Sequence, residues 1–104
     1  MTKCMTVTII APKDMTHSRE VRIGAGQRGL RSGERAQVVI SEDTPQNVRV
    51  AEGNAGLYPV SVSVDHRGRV LVGETQVPRF IGATTRLGIR VKRPLFPLFS
   101  HKEK

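Results

Sequence analysis

The chain has 104 residues and a formal net charge of +8 at neutral pH, with 38% hydrophobic and 25% charged residues. This length fits a single domain with a modest core, and the composition excludes a disordered chain. Because aromatic residues make up only 4% of the chain and tryptophan is absent, we expect a core built mainly from valine, isoleucine and leucine.

The charges are unevenly distributed along the chain. Residues 1–35 carry seven basic and three acidic side chains, residues 36–66 one basic and four acidic, and residues 67–104 nine basic and two acidic. This asymmetry predicts an electrostatically biased face that suits nucleic acid or an acidic protein. The alternative is that the arginines are solvated side chains on strand surfaces that contribute only solubility.

Cellular location is predicted from what the sequence lacks. Cys4 is the only cysteine, so there is no internal disulfide framework. The first residues are too polar for a signal peptide, and no stretch approaches the roughly 18–20 apolar residues of a membrane span. We therefore expect a soluble, cytoplasmic protein in a reducing compartment, with no membrane partner.

Apolar residues alternate with polar ones along most of the chain, as in half-buried antiparallel strands. The alternating or short apolar runs centre on Met5–Val7–Ile9, Val21–Ile23, residues 36–40, Val48–Val50, Val60–Val62–Val64, Val70–Val72 and Leu87–Ile89–Val91. No window shows the period of an amphipathic helix. The pattern predicts an all-β fold, a small antiparallel barrel or sandwich of about six to seven short strands with little or no helix.

Glycines 24, 26 and 29 form a G-x-G-x-x-G pattern after a predicted strand. In a dinucleotide-binding unit the last glycine opens a helix whose amides hold the pyrophosphate. Only the six residues "LRSGER" separate Gly29 from the next predicted strand, which is too short for such a helix, so we predict no nucleotide cofactor. The flexible loop still carries three arginines that could contact phosphates or an acidic partner, or be solvated: Arg28, Arg31 and Arg35.

A second basic region follows. The segment "TTRLGIRVKR" (84–93) is predicted as one strand with Arg86, Arg90 and Lys92 on one face, and Arg93 at its end continues the positive charge. A predicted hairpin at "DHRG" (65–68) adds Arg67 and Arg69. Such a ribbon suits contact with a phosphate backbone. The strand lacks the aromatic platforms that single-strand binders normally add.

The last twelve residues are "RPLFPLFSHKEK" (93–104), of which we treat residues 94–104 as a tail after a single domain of residues 1–93. Pro94 and Pro97 prevent a continuing strand or helix. The tail either folds over an open end of the core or anchors a partner or a second subunit. Its apolar residues are Leu95, Phe96, Leu98 and Phe99.

Candidate catalytic residues are few. His17, His66 and His101 lie far apart, without the spacing of metal ligands. The carboxylates occur at predicted turns, where they are ordinary turn residues. We therefore expect no metal, no cofactor and no enzymatic activity.

The segment "GLRSGERAQVVISEDTPQNVRVAE" (29–52) resembles a pattern of small all-β proteins of tailed bacteriophages and prophages. Leu30, the Gly33–Glu34 turn, Val38–Ile40, Val48–Val50 and Glu52 follow that pattern in order. The sequence departs from it at Ser32, where a proline is usual, and residues 57–104 have no counterpart. The resemblance implies a structural or accessory viral protein, found in the host cytoplasm or the virion, without an active site.

These observations predict a non-enzymatic interaction or assembly protein of viral type, which acts through its basic surface and its apolar tail. Its partner would be an acidic protein or further copies of the same chain. The alternative function is a small β-barrel that binds the phosphate backbone of nucleic acid.

Overall fold

The computed structural model describes residues 4–16, 18–24, 29–52, 55–78, 82–86 and 88–93. In these ranges the chain forms ten β-strands and no helix. The strands are β1 (Cys4–Ile10), β2 (Arg19–Ile23), β3 (Gly29–Leu30), β4 (Arg35–Ser41), β5 (Gln46–Glu52), β6 (Ala55–Val64), β7 (Val70–Val72), β8 (Thr75–Gln76), β9 (Ala83–Thr84) and β10 (Arg90–Lys92). Seven of these strands have three or more residues. Because the described ranges contain strands and no helix, the predicted all-β class is confirmed.

The strands form two antiparallel sheets. The four-stranded sheet has the order β4-β1-β10-β9, and the six-stranded sheet has the order β3-β2-β5-β6-β7-β8. Within the described residues each sheet is open, with a different strand at each edge. The fold is therefore not a closed barrel, and of the two predicted architectures the layered one describes it better.

Both sheets contribute to one hydrophobic core. In the four-stranded sheet, Met5, Val7 and Ile9 of β1 are at most 1% exposed, and the alternate residue Thr6 is exposed. In the six-stranded sheet, Val48 and Val62 are equally buried. Because successive side chains of a strand point to opposite faces, burial of one set directs the other set outward.

The prediction of a single strand over residues 84–93 is wrong, because the structure has two strands there. β9 and β10 pair with each other as an antiparallel hairpin, with Arg90 opposite Thr84. Thr85 N donates to Ile89 O at 2.8 Å, and Gly88 has φ 84°. Gly88 adopts this left-handed conformation without the steric conflict of a side chain, which lets the chain turn back. Arg86 therefore lies in a turn and does not share a strand face with Arg90 and Lys92.

Part of the glycine-rich segment is a strand and not a loop. Gly29 and Leu30 form β3, which pairs with β2, and Leu30 is buried. The chain turns at Gly33 and enters β4 at Arg35 without an intervening helix. This confirms that Gly29 does not open a dinucleotide-binding helix.

The pairing with β7 continues beyond the last residue of β8. Val77 is fully buried in the core, and its backbone N–H donates to Val70 O at 2.8 Å. This residue therefore extends the pairing of the two strands past Gln76.

Two valines on neighbouring strands test this arrangement. Val7 on β1 is 1% exposed, whereas Val39 on β4 is 57% exposed. Val7→Ala should lower the free energy of unfolding by about 2 kcal/mol or more, through lost burial and the cavity left behind. Val39→Ala should lower it by less than about 1 kcal/mol. Urea denaturation of both variants measures the difference, and equal losses would contradict the assigned inward and outward faces.

Candidate functional site

The outward surface of the four-stranded sheet carries charge of one sign. The described strands β1, β4, β9 and β10 contain no aspartate or glutamate. Their charged residues are Arg35, Arg90 and Lys92, which we call the basic face. Arg35 and Arg90 are exposed and Lys92 is half-buried. All three were predicted as site residues.

Strand register explains why these residues meet. Ile10 of β1 is the partner of Arg35 on one side and of Arg90 on the other. Neighbouring strands lie about 4.8 Å apart, so the two arginine backbones are roughly 10 Å apart. Thr8 is likewise the partner of Lys92. β1 therefore brings together two basic segments that are distant in sequence.

Three turns add basic residues at one end of this sheet. The turn after β1 and the turn before β4 are joined by backbone hydrogen bonds, with Gly33 N donating to Pro12 O at 3.0 Å. The β9–β10 turn lies against the same proline, since a Cβ built at Gly88 would be 3.3 Å from its ring. We call the exposed basic residues of these turns the basic rim; they are Lys13, Arg31 and Arg86.

The rim is not uniformly positive, because its turns also carry two carboxylates. Asp14 and Glu34 are exposed. Glu34 Oε1 accepts a hydrogen bond from the backbone N–H of Arg31 at 2.6 Å, which holds that turn together. The rim therefore contributes less net charge than the basic face.

The structure places Arg67 and Arg69 elsewhere, in the β6–β7 turn of the six-stranded sheet. Asp65 organises that turn: its carboxylate accepts from the backbone N–H of Arg69 and from Arg69 Nε, both at 2.8 Å, and from Arg67 N at 3.0 Å. These hydrogen bonds, the backbone bond of Arg69 first, hold the pKa of Asp65 below its ordinary value. Arg69 is thus paired within the chain.

Several predicted site residues are not placed by the structure. Arg28 and the whole tail, including Leu95, Phe96, Leu98 and Phe99, lie outside the described residues. Arg93, by contrast, is described: it follows β10 and is half-buried, and its Nε is buried without a hydrogen-bond partner in the part of the chain that the structure describes.

Charges on the six-stranded sheet are mostly paired with carboxylates. Arg19 Nε lies 3.1 Å from Glu52 Oε2, and this hydrogen bond is the main cause of the lowered pKa of Glu52. Arg22 Nη2 lies 3.4 Å from Glu20 Oε1. Arg22 and Arg49 of this sheet were not predicted as site residues. Strand alternation predicts that each side chain points outward, but it does not predict that their two strands are neighbours.

Groups for catalysis or metal binding are not assembled in the described part of the chain. There, no three histidine, cysteine, aspartate or glutamate side chains are close enough to hold a metal ion. An open groove of about 350 Å³ lies between β9 and strands β6 to β8. Among its described lining residues, the only titratable one is Arg86, so they supply no acid–base pair.

In the described ranges, no helix has the length and apolar character needed to span a membrane.

Comparisons with known proteins give no family for this chain: no family model matches it, and no curated protein or solved structure matches it significantly.

The Asp65 turn gives a pH-dependent prediction. Because the pKa of Asp65 is lower in the folded protein, its carboxylate stabilises the fold above the ordinary pKa of 3.8, and this contribution is lost as the pH falls through the lower folded-state value. Asp65→Asn should therefore be less stable than the original chain at pH 7, and the gap should narrow below pH 3.8. Urea denaturation across that range measures the gap, and a constant gap would contradict the assignment.

Proposed function

We propose that this chain is a non-enzymatic interaction protein whose basic face binds an acidic protein partner. The observation that supports the proposal is the uniform sign of the charges on the four strands that form that face. The resemblance of residues 29–52 to phage proteins supplies the setting, an accessory or structural role in viral assembly. The apolar tail, residues 94–104, serves as a second anchor, which joins copies of the same chain.

Like charges on neighbouring strands repel one another, and carboxylates on the same strands would relieve this repulsion. The other sheet has such carboxylates, in Glu20 and Glu52. The described strands of the four-stranded sheet contain no carboxylate of their own, and an acidic partner would add negative charge beside their basic residues. Complementary charge of this kind raises association rates and selects partners.

The composition of the face favours a protein over nucleic acid. β1, β4, β9 and β10 contain no aromatic residue for stacking on bases. Val39 is 57% exposed and Ile10 is half-buried between the two arginine positions. Apolar side chains interspersed with arginine are typical of protein interfaces.

Matched double variants test the basic face. Arg35→Gln with Arg90→Gln removes two charges from it, and Arg67→Gln with Arg69→Gln removes the same charge from the other sheet. We expect the first pair to weaken binding of a polyglutamate peptide by about tenfold, or roughly 0.7 kcal/mol for each contact. The second pair should have a much smaller effect. Fluorescence anisotropy at about 50 mM salt measures both.

Equal losses in the two double variants would contradict the proposal, because only net charge would then matter. Single-stranded DNA of matching length is the second ligand. Tighter binding of DNA than of polyglutamate, falling steeply with salt and dependent on Arg35 and Arg90, would replace the acidic protein with nucleic acid as the partner.

The anchoring role of the tail has its own test. Phe96→Ser with Phe99→Ser keeps the chain length and removes the largest apolar groups of the tail. We expect the full chain to self-associate in sedimentation experiments and this variant to sediment as a monomer, with unchanged urea denaturation. Loss of cooperative unfolding in the variant would show instead that the tail packs on its own domain.

A further inference from the structure

A pair of arginines occupies the outward surface of the six-stranded sheet, in the layer that does not carry the basic face. Arg22 of β2 and Arg49 of β5 are direct partners in the antiparallel register. Residues in such register have backbones only about 4.5–5.5 Å apart. Both strands are interior to the sheet, so this like-charged pair lies away from its edges.

Among the described residues, only one of the two arginines has a carboxylate beside it. Glu20 is two residues before Arg22 on the same strand face, and its carboxylate lies 3.4 Å from Arg22 Nη2. Arg49 has no ion pair among the residues that the structure describes. Two guanidinium charges are thus offset by one carboxylate.

Both arginines also have unused hydrogen-bond donors beneath the surface. Arg22 Nε and Arg49 Nε are buried, and neither has a hydrogen-bond partner among the described residues. The Arg22 side chain as a whole is 34% exposed, so its outer nitrogens are nearer solvent. Buried donors without acceptors are costly and are normally satisfied by a protein group, water or an ion.

The backbone around the pair is irregular on both sides. Arg49 lies where the β5–β6 register shifts, between the pairs Val48–Val60 and Val50–Leu57. One residue of β5 therefore faces two of β6, which is a β-bulge. Bulges are frequent next to functional sites, where they redirect side chains.

On the other side, the partner of Arg22 is Gly29 of β3. A Cβ built at Gly29 would collide with the carboxylate of Glu20. Glycine at this position therefore leaves the space in which Glu20 lies beside Arg22. Together, the bulge and the glycine give this part of the surface a specific shape around the two guanidinium groups.

We infer that Arg22 and Arg49 form an anion-binding site that takes a phosphate group. A guanidinium presents several donors in a plane, which suits bidentate contact with phosphate oxygens. A phosphate dianion supplies enough oxygens for both arginines and enough charge to offset the pair. Asn47, which lies two residues from Arg49 on the same strand face and is exposed, adds a polar side chain beside the site. The inference does not rest on the proposed function of the basic face.

Titration with inorganic phosphate, followed by amide NMR, tests the site. Sodium chloride at the same ionic strength is the control ligand, and phenyl phosphate is the second ligand. We expect saturable shifts at residues 21–23 and 48–50 with phosphate but not with chloride. Comparable affinity for phenyl phosphate would assign the site to phosphate esters, and binding of inorganic phosphate alone would assign it to the free ion.

Three variants separate binding from a structural role. Arg49→Gln should weaken phosphate binding by about tenfold, which corresponds to one lost charged contact, and Arg67→Gln, a turn arginine of the same sheet, should leave it unchanged. Glu20→Gln should tighten binding, because it removes the carboxylate that competes for Arg22 and repels the ligand. The opposite responses of Arg49→Gln and Glu20→Gln could not both arise from general destabilisation.

The inference would be overturned by shifts of equal size in phosphate and chloride. It would also be overturned if neither Arg49→Gln nor Glu20→Gln changed the dissociation constant. If Arg49→Gln does not fold, Arg22→Gln takes its place, with the same expected loss of phosphate affinity. If neither arginine variant folds, the phosphate affinity of Glu20→Gln decides the question alone.

Discussion

The structure depends on the burial of alternate aliphatic side chains between two sheets. Val7 and Ile9 of β1 illustrate the constraint, because they are almost fully buried while the residues between and beside them point outward. Because successive side chains of a strand point to opposite faces, burial of one alternate set of side chains determines which side chains point to solvent. The core therefore determines which side chains form the surface, and it places Arg35, Arg90 and Lys92 on one side of the four-stranded sheet.

The two sheets differ in whether their basic side chains are accompanied by carboxylates. On the six-stranded sheet, Arg19 and Glu52 form a surface ion pair, and Glu20 accompanies Arg22. On the four-stranded sheet, the charged residues of the described strands are all basic. Exposed ion pairs contribute little to the free energy of unfolding. This difference between the sheets therefore affects mainly which molecules each surface attracts.

The sequence predicts the class of fold well, because alternation is local. Val62, Val64, Val70, Val72, Ile89 and Val91 are all buried, as their spacing predicts. Gly88 was harder to interpret, since a glycine inside an alternating run can belong to a strand or interrupt it. Its positive φ is set by the turn that it makes with Thr85 and Ile89.

The surfaces were less predictable, because they depend on which strands become neighbours. Arg35 and Arg90 are brought together by β1, which pairs with both of their strands. Arg22 and Arg49 face each other only because β2 pairs with β5 in one particular register. Strand order arises from the packing of the whole chain, and the residues on either side of an arginine do not reveal it.

Amide NMR of the full chain with polyglutamate tests whether the alternation that builds the core also builds a binding surface. We expect the perturbed amides to cluster on β1, β4 and β10, around Thr8, Ile10, Arg35 and Arg90. Perturbations that concentrate on the six-stranded sheet, or that spread evenly over all basic residues, would contradict it.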